Sequence, residues 1–175
     1  MGAASLRFLI DADHGQFYVQ DFELYGAWIA EHAIDPDLPP AGWTHEAVYV
    51  HRVGVEPHSI AVGTARDDLV ESLITVHAST PIIEASAEHI VEADLDVPSG
   101  ELEVYSPSVD PVDGPSLAVP AGLLRARVSY IPSPPPTAEV NGSPGDHFRY
   151  QVDLWPAGQP RELLILRQGP NPWAG

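Results

Sequence analysis

The sequence predicts an all-β fold, and more narrowly an antiparallel β-sandwich with one or two short helices. About ten short stretches alternate apolar and polar side chains with the period of a β-strand. Turn-forming residues separate these stretches at intervals of roughly 8–15 residues. A strand–turn–strand pattern also occurs twice in the middle of the chain. The 175 residues, 44% of them hydrophobic, can bury the core of one domain over 1–175. A jelly-roll connection of the strands is the alternative arrangement.

The predicted elements follow from these periods in chain order. Strands are predicted at 5–12, 16–22, 58–65, 69–78, 87–97, 101–106, 116–119, 122–131, 147–155 and 161–167. The turn Asp13-His14-Gly15 joins the first two. The period becomes helical over 22–34, where Asp21 is suited to be the N-cap and Asp35-Pro36 the stop signal. Thr44 can cap one further helical turn.

The stretch 87–106 carries the strongest pattern, and it predicts a hairpin that turns at Pro98-Ser99-Gly100. One face of this hairpin is aliphatic apart from a single histidine, which we expect to be a hydrogen-bonded core or edge residue rather than a metal ligand: His89, Val91, Ala93, Leu95, Val97, Leu102 and Val104. The opposite face carries six carboxylates with no cation among them: Glu88, Glu92, Asp94, Asp96, Glu101 and Glu103. These six are the predicted partner-binding residues.

The register of such a hairpin places acidic residues directly opposite each other on the two strands. A four-residue loop, which the fixed φ of Pro98 favours, places Asp96 opposite Glu103. A two-residue loop places Asp96 opposite Glu101 instead. Like charges directly opposite each other cost roughly 0.2–1 kcal/mol per pair. The acidic face is therefore either a recognition surface for a basic partner or a solvated face that keeps the protein soluble.

A near-repeat supports the strand assignment. Residues 95–102 and 117–124 match at five positions, 22 residues apart. The repeat and its alternation predict five core residues, which are Leu95, Leu102, Leu117, Leu124 and Val128. The second copy replaces the acids by Ala118, Leu123, Arg125 and Arg127. The scaffold is thus repeated without its charge, which indicates that the acidic face is an addition to it.

The charge of the chain restricts the class of partner. The net charge is −17, all eight basic residues are arginine, and twelve acids lie between Arg66 and Arg125 without a base. Nucleic acids and anionic membranes need a positive footprint, so neither is a predicted partner, whereas a basic protein is attracted. The absence of lysine excludes Schiff-base chemistry. The absence of cysteine excludes disulfides and thiolate chemistry and is compatible with a cytoplasmic location.

No motif predicts a metal, a cofactor or catalysis. Ligand-type residues occur at Asp11, Asp13 and His14 and at His45, His51 and His58, but H-x-H and H-E-x-x-H spacings are absent. No G-x-S-x-G elbow or glycine-rich phosphate loop is present. The sequence therefore predicts a protein that is not an enzyme.

Three parts of the chain carry a resemblance to a known family. They are the opening DHGQFYVQD, a middle that contains tryptophan, and the pattern IVEADLDVPSGELEV followed by VPAGLLRARV. The chain is similar to a large set of bacterial proteins and, more distantly, to the DNA-entry nuclease inhibitor (competence protein J) family. The resemblance implies a small β-rich protein that inhibits a nuclease by binding it. It supplies no site residues.

Composition and resemblance together predict an acidic, cytoplasmic binding protein that engages a basic protein. A nuclease inhibitor or a toxin-immunity protein is the most specific form of this prediction. Two alternatives come from other classes, a sandwich that binds a small ligand and a sandwich that binds a divalent cation and acts as a metal-dependent enzyme.

Overall fold

A computed structural model of the protein describes residues 4–32, 42–108, 114–136 and 144–170. Its strands are β1 (Ala4–Asp11), β2 (Gln16–Gln20), β3 (Val53–Glu56), β4 (Ser59–Gly63), β5 (Leu69–Val76), β6 (His89–Val97), β7 (Glu101–Tyr105), β8 (Ser116–Ala118), β9 (Gly122–Pro132), β10 (Phe148–Pro156) and β11 (Leu164–Arg167). One α-helix, α1 (Phe22–Glu31), follows β2, and a π-helical turn (Ala47–His51) precedes β3.

The strands form two sheets. The six-stranded sheet has the order β1-β5-β10-β9-β6-β11, and the five-stranded sheet has the order β3-β4-β2-β7-β8. Inward side chains of both sheets belong to one apolar cluster, which includes Phe17 and Val62 from one sheet and Leu95, Val128 and Tyr150 from the other. The predicted all-β sandwich is confirmed. One detail differs, because β5 and β10 pair in parallel while the other described pairs are antiparallel.

The predicted hairpin over 87–106 is wrong. β6 lies in the six-stranded sheet and β7 in the five-stranded sheet, so the chain crosses from one layer to the other between Val97 and Glu101. The Gly100 N–H donates to the Val97 carbonyl at 3.1 Å, with Gly100 at a positive φ of 74°. The residues predicted to point inward still do so, because both strands face the same core from opposite sides. Alternation alone therefore does not distinguish a hairpin from a crossing.

The two copies of the near-repeat are paired with each other. β6 runs antiparallel to β9, with Leu95 opposite Leu124, and β7 runs antiparallel to β8, with Leu102 opposite Leu117. β8 and β9 lie in different sheets, so the chain crosses again between Ala118 and Gly122, and the Val119 N–H of this crossing donates to the Gly100 carbonyl of the first at 2.9 Å. Four of the five predicted core residues are buried, and Leu117 is partly buried against the same cluster.

The chain also crosses between the sheets from β1 to β2, through a short 3-10 turn, Asp13–Gly15. The sequence predicts a turn that joins two successive strands here, and the structure places those two strands in different sheets. His14 adopts a left-handed conformation with φ of 60°, which is uncommon for a residue other than glycine. The turn is fixed by the Gly15 N–H, which donates to the Ala12 carbonyl at 2.9 Å.

The helical elements begin where the sequence predicts. The Asp21 carboxylate accepts a hydrogen bond from the Leu24 N–H at 3.2 Å and caps α1. The Thr44 hydroxyl accepts from the Ala47 N–H at 3.1 Å at the start of the π-helical turn. The predicted stop signal Asp35-Pro36 lies outside the described residues. Strand β3 was not predicted.

Candidate functional site

The six predicted carboxylates do not share one face. Glu92 and Asp94 lie on the outer surface of the six-stranded sheet, beside two arginines of β9. Asp96, Glu101 and Glu103 lie where the chain crosses between the sheets. Glu88 is exposed just before β6 begins. Their role in partner binding stays a prediction, and the geometry divides them into groups with different surroundings.

Glu92 and Asp94 form a buried ion-pair network with Arg125 and Arg127, hereafter the arginine network. Arg125 Nη1 lies 2.8 Å from Asp94 Oδ1, and Arg125 Nε lies 3.3 Å from Glu92 Oε2. Arg127 Nη2 lies 2.8 Å from Glu92 Oε1. The two arginines are only 1% and 3% exposed. The expected acidic face without a cation is therefore wrong at these positions, because the second copy of the repeat supplies the cations.

The remaining donors of the arginine network are satisfied locally. Arg125 donates to the Glu162 carbonyl at 2.9 Å, and Arg127 donates to the Pro81 carbonyl at 2.9 Å. The Arg127 guanidinium also lies 5.1 Å from the centre of the Trp155 ring. Asp94 is engaged at both oxygens, since its Oδ2 accepts from the Arg161 N–H at 2.7 Å. These carboxylates hold strands and loops together, and each oxygen of Asp94 already accepts a hydrogen bond within the protein.

The crossing end of the sandwich holds a different group, the crossover cluster, which consists of Asp21, Asp96, Glu101 and Glu103. Partial burial, Glu101 and Asp21 together raise the pKa of the Glu103 carboxyl. Like charges in this cluster therefore repel one another. Asp21 is buried and accepts hydrogen bonds from the N–H groups of Leu24 and Ser99.

Among the described residues, the basic side chain that contacts the crossover cluster is a histidine. His58 Nδ1 lies 3.1 Å from the Asp96 carbonyl oxygen and 3.6 Å from Asp96 Oδ2. The His58 carbonyl accepts from the Asp21 N–H at 2.9 Å, which ties the β3–β4 turn to the start of α1. Glu101 is exposed, and Glu103 has an intermediate exposure. This cluster thus presents carboxylates to solvent without an arginine contact among the described residues.

Aromatic side chains flank the crossover cluster on the outer surface of the five-stranded sheet. Tyr105 follows Glu101 and Glu103 on the same face of β7, and its ring centre lies 5.6 Å from that of Tyr18 and 6.4 Å from that of Phe22. Phe22 is 38% exposed. The exposed Phe22 ring and the half-buried Tyr105 ring, with carboxylates near them, form a surface that suits lysine and arginine side chains, which gain ion pairs and cation–π contacts there.

Hydrogen bonds to one glutamate fix α1 and the segment after it against this sheet. The Tyr25 hydroxyl donates to Glu56 Oε2 at 2.6 Å, and the Gly42 N–H donates to Glu56 Oε1 at 3.0 Å. Burial, Tyr105 and Glu56 raise the pKa of Tyr18 to about 12. Tyr18 is therefore a neutral part of this packing at any ordinary pH.

The histidines do not form a metal site in the part of the chain that the structure describes. No three His, Asp or Glu side chains there are grouped closely enough to hold a metal ion. His89 is a core histidine, as predicted, because it is fully buried and its Nε2 lies 2.9 Å from the His51 carbonyl oxygen. Burial, with smaller effects of Arg52 and His51, lowers the pKa of His89 to about 4. Among the described helices none is long and apolar enough to cross a membrane.

Comparison with known proteins identifies the fold. No family model and no curated protein matches the sequence. The crystal structure of ComJ, the inhibitor of the DNA degrading activity of NucA from Bacillus subtilis, matches with a TM-score of 0.61 and 16% identity, over 90% of this chain and 100% of that one. A structure described as crocagin biosynthetic gene J matches with a TM-score of 0.55 and 18% identity, over 90% and 99%. The distant resemblance to the competence protein J family is therefore confirmed at the level of the fold.

Proposed function

We propose that this protein is a non-enzymatic inhibitor that binds a basic protein, and that the partner is a nuclease. The observation that carries the proposal is the fold match along the whole length of ComJ, a protein described as the inhibitor of a nuclease. The net charge of −17 supports a basic partner, since the summed field attracts positive proteins over several ångströms. A toxin-immunity role is the same proposal with a toxic nuclease as the partner.

The structure changes which of the predicted residues suit this role. Glu92 and Asp94 already satisfy Arg125 and Arg127, so removing their charge would disturb the fold before it disturbed binding. Glu101 and Glu103 repel each other, and Tyr105, which follows them on the same face of β7, lies near the exposed Phe22 ring. We therefore place the partner surface at the crossover cluster. A cytoplasmic location stays a prediction from composition.

The proposal is tested with a basic nuclease from the same organism. Purified nuclease is mixed with increasing amounts of the protein, and DNA degradation is followed. Inhibition that reaches completion at a fixed molar ratio is expected. If the protein leaves every such nuclease active at micromolar concentration, the proposal is wrong.

The position of the surface is tested by two variants of equal charge. Glu101→Gln with Glu103→Gln changes the net charge by two units at the crossover cluster, and Asp146→Asn with Glu162→Gln makes the same change at exposed positions elsewhere. The first pair should lower the association rate at low salt about tenfold, with the effect shrinking as salt is added. The control pair should change it much less. Equal rates for the two variants would show that only the overall charge matters.

A further inference from the structure

A groove outside the crossover cluster is open to solvent at the other end of β2. Its volume is about 560 Å³, and seven residues line it: His14, Gly15, Gln16, Trp43, Val48, Tyr49 and Gly63. One wall is the start of β2 with the end of β4, and the other is the π-helical turn with Trp43. We call it the Tyr49 groove.

Hydrogen bonds fix both walls of the Tyr49 groove. The Trp43 indole N–H donates to Gln16 Oε1 and joins one wall to the other. The Thr64 N–H donates to the Gly15 carbonyl at 2.8 Å, and the Gly63 N–H donates to the Arg52 carbonyl at 2.9 Å. The groove is thus formed before any ligand arrives, which reduces the entropy cost of binding.

The groove offers aromatic surface to solvent. Tyr49 is 44% exposed, and its ring centre lies 4.7 Å from that of His45. Because Trp43 uses its indole N–H on Gln16, its contribution to a ligand is the ring itself. Aromatic faces carry a negative quadrupole, so a flat cation is the group that gains most from lying against them.

The charges beside the groove have the sign that a cation requires. Asp13 Oδ1 lies 3.1 Å from His14 Nδ1, and Asp67 Oδ1 accepts from the His14 N–H at 3.1 Å. No arginine is among the lining residues in the described part of the chain. The nearest arginine in sequence, Arg52, turns its buried guanidinium to the carbonyls of Gly169 and Pro170 instead. The aromatic lining of the groove therefore has two carboxylates beside it at His14, and its described lining residues include no arginine.

We propose that the Tyr49 groove receives an arginine side chain of the partner protein, with the guanidinium stacked on Tyr49 and Trp43. This inference rests on the proposed function for the source of the arginine, while the recognition itself depends only on the groove. Arginine is the better occupant than lysine, because its planar guanidinium is less strongly hydrated and stacks on aromatic faces. The groove and the crossover cluster then act as two separate cation-binding places on one acidic protein.

The test uses small blocked peptides and the full chain. Ac-Gly-Arg-Gly-NH2 is titrated into isotopically labelled protein, and the Trp43 indole and Tyr49 backbone signals are followed by NMR. The matched control is the same peptide with citrulline, which keeps the shape of arginine and lacks its charge. The arginine peptide should shift these signals with saturation, and citrulline should bind at least several-fold more weakly.

Variants of one residue separate cation–π recognition from plain apolar contact. Tyr49→Phe keeps the aromatic face and should bind the arginine peptide within about twofold of wild type, whereas Tyr49→Leu keeps apolar area without it and should bind about two- to fivefold more weakly. Asp13→Asn should weaken binding as well, most visibly at low salt. Equal binding of the arginine and citrulline peptides, or unchanged binding by Tyr49→Leu, overturns the inference.

The outcomes separate this inference from the proposed function. If the wild-type protein inhibits a nuclease while the arginine peptide leaves the groove signals unshifted, the groove assignment fails and the inhibitor role survives. If the peptide behaves as expected while no nuclease is inhibited, the inhibitor role fails and the arginine site stands.

Discussion

Glu92→Gln should destabilise the protein strongly because this carboxylate balances two buried arginines. Glu92 Oε1 lies 2.8 Å from Arg127 Nη2, and Glu92 Oε2 lies 3.3 Å from Arg125 Nε. The amide keeps the shape of the side chain and one acceptor oxygen, and it removes the charge. Arg125 then retains Asp94 as a counter-ion, while Arg127 retains the Pro81 carbonyl and the Trp155 ring.

The expected loss of stability depends on what each arginine keeps: Arg125 keeps a carboxylate, whereas Arg127 keeps a carbonyl and an aromatic ring. Removing one partner of a buried ion pair costs about 3–5 kcal/mol, because the other charge is left without compensation in a poorly solvated place. Since Arg125 keeps one carboxylate, we expect the lower end, about 3 kcal/mol of unfolding free energy. For a chain of this length each kcal/mol corresponds to about 2–4 °C, so Tm should fall by about 6–12 °C.

The control must account for the net charge, because removing any acid from a protein of charge −17 relieves general repulsion. Glu71→Gln removes the same charge from a surface pair, in which Arg7 Nε lies 3.3 Å from Glu71 Oε1 and the Arg7 side chain is 62% exposed. This variant should change stability by about 0–1 kcal/mol. Urea unfolding of wild type and both variants at pH 7 gives the comparison. If Glu92→Gln costs no more than Glu71→Gln, the arginine network does not stabilise the fold.

Three further predictions concern the core, the pH dependence and nucleic acid. Leu95→Ala and Leu124→Ala should each cost about 2–5 kcal/mol, since both are buried and face each other between β6 and β9; losses below 1 kcal/mol in urea unfolding would contradict this packing. The pKa of His89 is about 4 when folded and about 6.5 when unfolded, so only the unfolded chain takes up this proton between those values. Stability should therefore fall by about 3 kcal/mol as pH drops from 6.5 to 4, and His89→Gln should flatten this part of the curve; an unchanged slope would count against it. DNA and RNA should not bind with micromolar affinity at physiological salt, and a shifted band in a gel assay without divalent ions would refute this.

Much of the fold could be predicted from the sequence because strand alternation is a local property. The inward residues of β6 and β7 were assigned correctly, and so was the cap of α1 by Asp21. The pairing of strands could not be predicted in the same way, because it depends on where the chain goes after Val97. A hairpin and a crossing leave the same side chains facing inward on both strands, and both accommodate Pro98 and Gly100 between the strands.

The candidate site was only partly predictable for a related reason. The hypothesis of one acidic face assumed that neighbouring acids in sequence remain neighbours without a cation. The available signal was the spacing of Arg125 and Arg127, which matches the two-residue spacing of Glu92 and Asp94. With the two copies of the repeat paired antiparallel, that spacing brings each arginine opposite an acid. The Tyr49 groove had no sequence signal, since it is formed by residues from four separate parts of the chain.

The parallel pair β5–β10 has a consequence for how the chain reaches this structure. β5 lies between β1, which precedes it, and β10, which begins more than 70 residues later. Until the ribosome has released Phe148–Pro156, β1 and β5 are a two-stranded ribbon that is marginal in water, and the edge of β5 that later pairs with β10 is open. Because contacts between distant parts of a chain form slowly, all-β domains fold in about milliseconds to seconds. The β1–β5 pair therefore joins the rest of the six-stranded sheet only after β10 has left the ribosome, and the persistence of that pair depends on this later strand.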